Sequence, residues 1–451
     1  MHSVLIKSKP LIHLLFLFLH LGAAYATDLS TLQLVQIISR HGDRAPLFPY
    51  PNDLYKNSSV YSLNGWGELT EIGEEQHYEL GSFLRQRYDG FLPRKYSKKD
   101  FHIVSSDVDR TIISAESNVA GLYKRDAPAL ITRQALFNEW QPVPVHTIPQ
   151  ESDNFINFKA KCPRYNSLVD EYYNSEEVTS LDTEYKNFFD FASENSGAEL
   201  LNLLDAVQLQ DSLRCQRKHN LTLPTWVNDT VYDQLQFCRA ISFTWNVGTD
   251  EMKRLQAGPL IEKLVENMQA KMGTTTTAAL KVEIDNEPFP PRKDDSAKRK
   301  MYIYSGHDST IAVLLHTLNL FEPHVIEYAA ALLIELHKNP DTGEFFIELH
   351  YRNDTTKEPY KLDTTALCGV PCAFNNFNDF ALKYIPTNWN EECQPLNSSA
   401  SFSNIFTNII LALSVLILSL FMFVIIRRYC SQKMTAGEAS RLSVNSYQKL
   451  G

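Results

Sequence analysis

Leu32-Gln33-Leu34-Val35-Gln36-Ile37-Ile38-Ser39-Arg40-His41-Gly42-Asp43-Arg44-Ala45-Pro46 is the stretch on which the fold turns. Its apolar half, Leu32 to Ile38, has the length and density of a buried strand. Its polar half places a histidine between two arginines, and Gly42 lets the backbone turn closely around whatever the histidine touches. A guanidinium presents a planar fork of donors that matches phosphate oxygens and stays charged at every physiological pH. A histidine between two such groups can attack a phosphorus atom that they hold.

Two later segments repeat the pattern. Phe101–Val104 leads into Asp107–Arg110, and Lys300–Tyr304 leads into Gly306-His307-Asp308. Helical periodicity follows each, from Thr111 to Leu122 and from Thr310 to Leu318. In open α/β sheets ligands bind beyond the carboxyl ends of the strands, so three distant segments can share one pocket. Leu69, Ile72, Leu80, Phe83 and Leu84 predict an amphipathic helix with Thr70 near its cap. Residues of about 150 to 270 read as mostly helical, with helices expected over Ala198–Val207 and Leu260–Met272. Ala329–His337 and Glu344–Tyr351 read as a hairpin on an antiparallel edge. Thr274–Thr277 and Glu287–Lys300 have the composition of a solvated loop.

The ends of the chain suggest export and anchoring. Residues 1–26 have a basic start, an apolar core and Ala24-Tyr25-Ala26 as a cleavage site, the pattern of a signal peptide. Residues 405–426 are expected to cross a membrane: Ile409 to Ile426 carries no charge, a helix of ~27 Å against a hydrocarbon core of ~30 Å. Arg427 and Arg428 follow, which places residues 427–451 in the cytoplasm and 27–400 in a lumenal or extracellular body. In that tail Tyr447-Gln448-Lys449-Leu450 resembles a tyrosine-based signal for endocytic adaptors, and Cys430 is a candidate for palmitoylation.

The formal net charge of −10, with no basic patch interleaved with aromatics, argues against a nucleic-acid partner. Cys162, Cys215, Cys238, Cys368, Cys372 and Cys393 lie in the exported body, where an even number points to disulfides with the pairing left open. There is no Cys-x-x-Cys pair with histidines at zinc-ligand spacing, so no metal is expected. Sequons at Asn57, Asn220, Asn228, Asn353 and Asn397 are candidate glycan sites.

Arg40-His41-Gly42-Asp43-Arg44-Ala45-Pro46 resembles the signature of the histidine acid phosphatases, the branch of the phosphoglycerate-mutase-like superfamily that includes prostatic and lysosomal acid phosphatases. Further blocks resemble the same family in the same order: Gly65–Thr70, Glu75–Gly81, Ser106–Thr111, Gln141–His146, His219–Pro224 and Tyr304–Asp308. The resemblance implies an α/β fold, a mainly parallel sheet flanked by helices, with a helical cap domain at roughly 150–270. It implies hydrolysis of small phosphomonoesters with His41 as nucleophile, Asp308 as proton donor, and Arg40, Arg44, Arg110 and His307 on the phosphate, without a cofactor. Neighbouring guanidiniums should push the His41 pKa down, and a bound phosphate should push that of Asp308 up.

Asp43 is read as structural, holding an arginine in place, and His77, His102 and His146 as structural histidines. The resemblance also implies Cys162–Cys393 and Cys368–Cys372 bridges and a homodimer. The family pairs a cysteine at the Cys215 position with one in a later strand; Ala331 stands there, so a rearranged Cys215–Cys238 bridge is expected. Ser39 and Gly306 are further departures beside the motifs. The rival readings are a narrower phosphatase for inositol phosphates, lysophosphatidic acid or nucleotides, and a catalytically inactive glycoprotein that binds phosphorylated ligands.

Overall fold

The computed structural model describes residues 28–124, 141–274, 295–395 and 407–429; the expected signal peptide, most of the 274–300 loop, Asn397 and the tail signal lie outside the described residues. The chain forms two units, one ending at Gln394 and one beginning at Pro395. In the second unit a 23-residue helix, Thr407–Tyr429, is long and apolar enough to cross a membrane.

The first unit is built on one mixed sheet. Its strands are β1 (Leu32–Arg40), β2 (Phe101–Ser106), β3 (His146–Ile148), β4 (Met301–Gly306), β5 (Ala331–Lys338), β6 (Phe345–Arg352), β7 (Tyr360–Lys361) and β8 (Cys372–Ala373). The order is β3-β2-β4-β1-β5-β6-β7, with β8 also paired to β6. From β3 to β1 the pairs are parallel, and β5 to β8 join antiparallel. The predicted hairpin is β5–β6, but β5 is an interior strand because β1 takes its other side.

Alternation along β1 explains why it lies at the centre. Val35 and Ile37 enter one apolar layer with Met301 and Ile303, whereas Leu34 and Ile38 enter the opposite layer with Tyr302 and Tyr304. Each such side chain contributes ~1.5–3 kcal/mol by leaving water. Gln36 interrupts the run, yet its amide donates to the Leu264 carbonyl at 2.9 Å and accepts from Asn267 at 2.7 Å, so its burial leaves no polar atom unpaired.

Helices α1 (Glu71–Arg87) and α2 (Asp109–Leu122) cover the Val35 face. Thr70 caps α1 by accepting from the Gly73 N–H, as its position predicts. Among the described residues, six α-helices lie between α2 and the helix that returns to the sheet: α3 (Pro163–Tyr173), α4 (Glu176–Glu184), α5 (Lys186–Ser196), α6 (Leu203–Lys218), α7 (Asp229–Trp245) and α8 (Asp250–Gln256). Helices α4 to α7 share a core of their own that includes Phe188, Phe189, Leu209, Leu213, Leu235 and Trp245. The helix expected over Ala198–Val207 begins only at Leu203, because the Asn202–Asp205 capping box fixes its start there. Helix α9 (Gly258–Met272) packs on the Leu34 face beside α10 (Asp308–Thr317).

Two expected disulfides are present, Cys162–Cys393 and Cys368–Cys372. The Cys215–Cys238 bridge is not: both residues are free, buried thiols. Cys215 faces the segments after β1 and before β5, with its sulfur 3.5 Å from the Arg44 carbonyl and 3.4 Å from the Tyr328 hydroxyl. Cys238 points instead into the shared core of α4 to α7. Neighbouring helices carry the two sulfurs on different faces, which spacing along the chain could not reveal.

Candidate active site

The three polar turns meet because the strands that feed them are adjacent and in register. Arg40 at the end of β1 lies opposite Gly306 at the end of β4, and β2 lies on the other side of β4. His41 donates its backbone N–H to the Gly306 carbonyl at 2.9 Å, which brings the His41 and His307 ring centroids to 5.6 Å. Gly42 packs directly on the first turn of α1: a Cβ there would lie 2.2 Å from the Gly73 carbonyl oxygen. Gly306 is equally confined, since a Cβ would sit 2.7 Å from the Thr310 hydroxyl. Both glycines are set by close approach of neighbouring atoms.

His41 is buried, and its Nδ1 lies 2.8 Å from the Gly42 carbonyl. A carbonyl only accepts, so Nδ1 carries the proton and Nε2 keeps its lone pair. Burial, followed by the charges of Arg110, Arg40 and Arg44, holds the His41 pKa well below the ordinary value. The imidazole is therefore neutral well into the acid range.

Three guanidiniums surround it, each positioned differently. The Arg40 Nη1 donates to the Ile326 carbonyl, its Nη2 lies 3.1 Å from Asp308, and the group stacks 4.2 Å from the centroid of Tyr328. Arg44 forms a fork with Asp211 of α6, at 3.0 and 2.8 Å, and this pair is largely buried. Burial depresses the Arg44 pKa, but Asp211 outweighs it and raises it well above the usual value. Arg110, in the first turn of α2, donates to the Gly67 carbonyl at 3.4 Å and has no ion pair with Asp107 or Asp109 among the described residues. Burial and the charge of Arg44 lower its pKa to about 10. Among the described residues, the Nε atoms of all three arginines are buried donors without a partner. Native proteins seldom leave such donors unpaired, and three guanidinium charges acting on one histidine make an anion-binding arrangement.

His307 places Nε2 3.0 Å from the Ser106 hydroxyl, and burial with the charge of Arg110 lowers its pKa to about 3. Asp308 opens α10 and carries two guanidiniums on Oδ2: Arg239 of α7 at 2.7 Å and Arg40 at 3.1 Å. Burial pushes its pKa up, but Arg239 and Arg40 outweigh burial and hold it well below the usual carboxylate value. The ligand-free site thus holds Asp308 as a carboxylate.

All six residues expected at the site are brought together. Asp43 has a different task from the one expected: its Oδ2 accepts from the Thr70 hydroxyl at 2.7 Å and meets His219 Nε2 at 2.6 Å, so it ties the signature turn to the cap of α1 and the end of α6. Asp211 is the residue that holds Arg44. Neither Asp211 nor Arg239 lies in a motif, and no local pattern singles them out. His77 is buried, with Nε2 2.8 Å from the Arg40 carbonyl, and the rings of His102 on β2 and His146 on β3 lie tilted by 34° with centroids 4.9 Å apart. Among the sequons, Asn353 spends its side chain on the Glu327 N–H, the Tyr351 hydroxyl and the Val325 carbonyl, a poor acceptor for a glycan.

Residues 31–352 match the model of the histidine phosphatase superfamily, branch 2, and the chain belongs to that family. Rat prostatic acid phosphatase is 35% identical over 398 residues, covering 87% of this chain and 96% of the relative. Human lysosomal acid phosphatase is 32% identical over 404 residues, covering 89% and 88% respectively. Among solved structures, the phytase of Citrobacter braakii superposes with a TM-score of 0.58 at 18% identity, over 80% of this chain and 99% of that one. That likeness establishes a shared α/β fold.

Proposed function

We propose that the chain is an acid phosphatase that hydrolyses phosphate monoesters through a phosphohistidine on His41. The observation that carries this is the state of His41: neutral, with Nδ1 committed to the Gly42 carbonyl and Nε2 free, amid Arg40, Arg44 and Arg110. The guanidiniums neutralise the phosphoryl oxygens and the charge of the transition state. The Nε2 lone pair attacks phosphorus, the bond to the leaving oxygen breaks, and Asp308 gives that oxygen its proton. Water then attacks the phosphohistidine, returning a proton to Asp308 and releasing phosphate and neutral His41.

Asp308 must be protonated to begin. A bound phosphate competes for Arg239 and Arg40, weakens their hold on the carboxylate and raises its pKa. Acid solution completes the protonation, which gives the activity its acid optimum. His307 belongs to the same proposal as a further donor to the phosphate.

The same reading makes residues 1–26 a cleaved signal and 27–400 a lumenal or extracellular body whose helices at roughly 150–270 cap the site. Residues 405–426 anchor it with the tail in the cytoplasm, in a lysosomal, endosomal or surface membrane. A homodimer and recognition of Tyr447–Leu450 by adaptors complete the proposal.

The test is hydrolysis of an aryl phosphate from about pH 3 to about pH 9 by the parent and His41→Ala. Activity should peak in acid and fall by on the order of 10⁴-fold or more in the variant. A folded protein that binds inorganic phosphate without turnover at any pH would instead make it a phosphate-binding glycoprotein.

A further inference from the structure

The sequence contains Glu-Leu-His twice, at Glu335-Leu336-His337 on β5 and Glu348-Leu349-His350 on β6. The antiparallel register sets Glu335 directly opposite Glu348. Side chains two apart on a strand share a face, so both glutamates and both histidines project from the same side of the ribbon. Glu335 also pairs with Val35, six residues before His41, which places the cluster ~20 Å of strand away from the phosphoryl site.

We propose that Glu335, His337 and Glu348 bind one divalent transition-metal ion, with His350 beside the two carboxylates and zinc favoured by the mixed imidazole and carboxylate set. One ligand atom each of Glu335, His337 and Glu348 lies within 4.8 Å of the others. His337 Nε2 and His350 Nε2 each lie 3.4 Å from Glu335 Oε2, and His350 Nε2 lies 3.3 Å from Glu348 Oε2. A charge-assisted N–H···O bond would be ~2.7–2.9 Å. The three spacings are long for such a bond and lie near the ~3.3–3.4 Å edge of a tetrahedron around zinc with ligand bonds of ~2.0–2.1 Å.

The outer contacts aim these atoms inward. The Thr31 hydroxyl donates to the Asp28 carbonyl at 3.2 Å, so it accepts from His337 Nδ1 at 2.9 Å. His337 Nε2 then faces a carboxylate oxygen, a position that a proton or a metal cation fills. The other oxygen of Glu335 is taken by Arg87 at 3.0 Å and the Tyr88 hydroxyl at 2.6 Å, and that of Glu348 by Lys361 at 2.7 Å. Such outer partners are what fix metal ligands in orientation. Glu335 and His337 are buried, while Glu348 is partly exposed and gives an ion its route of entry.

The experiment strips the full chain in detergent with a chelator, re-equilibrates it with micromolar zinc chloride, and measures metal by mass spectrometry and melting temperature by scanning fluorimetry. The parent should take up about one equivalent and melt several degrees higher with zinc. The double variant His337→Gln/His350→Gln should do neither. Glu348→Gln, at the exposed side, should fold and bind zinc ~10- to 100-fold more weakly. Cobalt in place of zinc should give the visible absorption of a tetrahedral site. Uptake below about a tenth of an equivalent by the folded parent, or equal uptake by the variants, would overturn the proposal and leave a cluster that shares only protons. Aryl phosphate hydrolysis followed in parallel should not respond to the chelator, so the outcome is independent of the phosphatase reading.

Discussion

Asp211→Asn tests how the site holds Arg44. In the parent, Asp211 accepts from Arg44 at 3.0 and 2.8 Å and from the Leu47 N–H at 3.0 Å. The amide keeps one acceptor oxygen but turns two N–H donors toward a group that has only donors. Losing a charge-assisted hydrogen bond costs ~1.5–3 kcal/mol, and leaving a buried charge without its partner costs ~3–5 kcal/mol in all. The Arg44 and Asp211 side chains are only 7% and 18% exposed, so solvent recovers little of this.

The loss should depend on pH in a definite direction. Burial raises the Asp211 pKa, but Arg44 outweighs it and the folded value lies below the ordinary one. A depressed carboxyl contributes stability above its unfolded pKa of ~3.9 and loses it as pH falls through the folded value. Urea denaturation should therefore show the gap of ~3–5 kcal/mol between parent and variant in full near neutrality, narrowing as pH drops below ~4. An Arg44 displaced by about 1 Å should lower kcat/KM by ~10²-fold for an aryl phosphate. A variant within ~0.5 kcal/mol of the parent at neutral pH, with the same pH dependence, would refute the claim that this ion pair positions the arginine.

Asp308→Asn should lower kcat by ~10²–10⁴-fold, with a larger loss for alkyl than for nitrophenyl esters, because a poor leaving group needs the proton more. Steady-state rates on the two substrates give that ratio. Gly42→Ala should destabilise the protein by ~1–3 kcal/mol in a thermal melt and reduce activity, since its Cβ would meet the Gly73 carbonyl. Alkylation under denaturing, non-reducing conditions followed by peptide mass spectrometry should label Cys215 and Cys238 and leave Cys162, Cys393, Cys368 and Cys372 unlabelled. In the native state both free thiols should resist reagent, because burial pushes each pKa up to about 12.

What the sequence determined by itself was local. The apolar run before Arg40, its two counterparts before Arg110 and His307, and the cap at Thr70 each specify a strand end or helix start through neighbours within a few positions. Arginine and histidine at those strand ends carry phosphoryl chemistry in their side chains wherever the chain places them. The tertiary structure alone decided which distant groups complete them. Asp211 for Arg44, Arg239 for Asp308 and His219 for Asp43 come from α6, α7 and the turn after α6, 167, 69 and 176 residues away along the chain. The same holds for the separation of Cys215 from Cys238 and for the meeting of the two Glu-Leu-His tripeptides. An ion pair or a sulfur contact depends on side-chain direction to within a few tenths of an ångström. Packing of helices and strand register set that direction, and neither is written into the residues on either side.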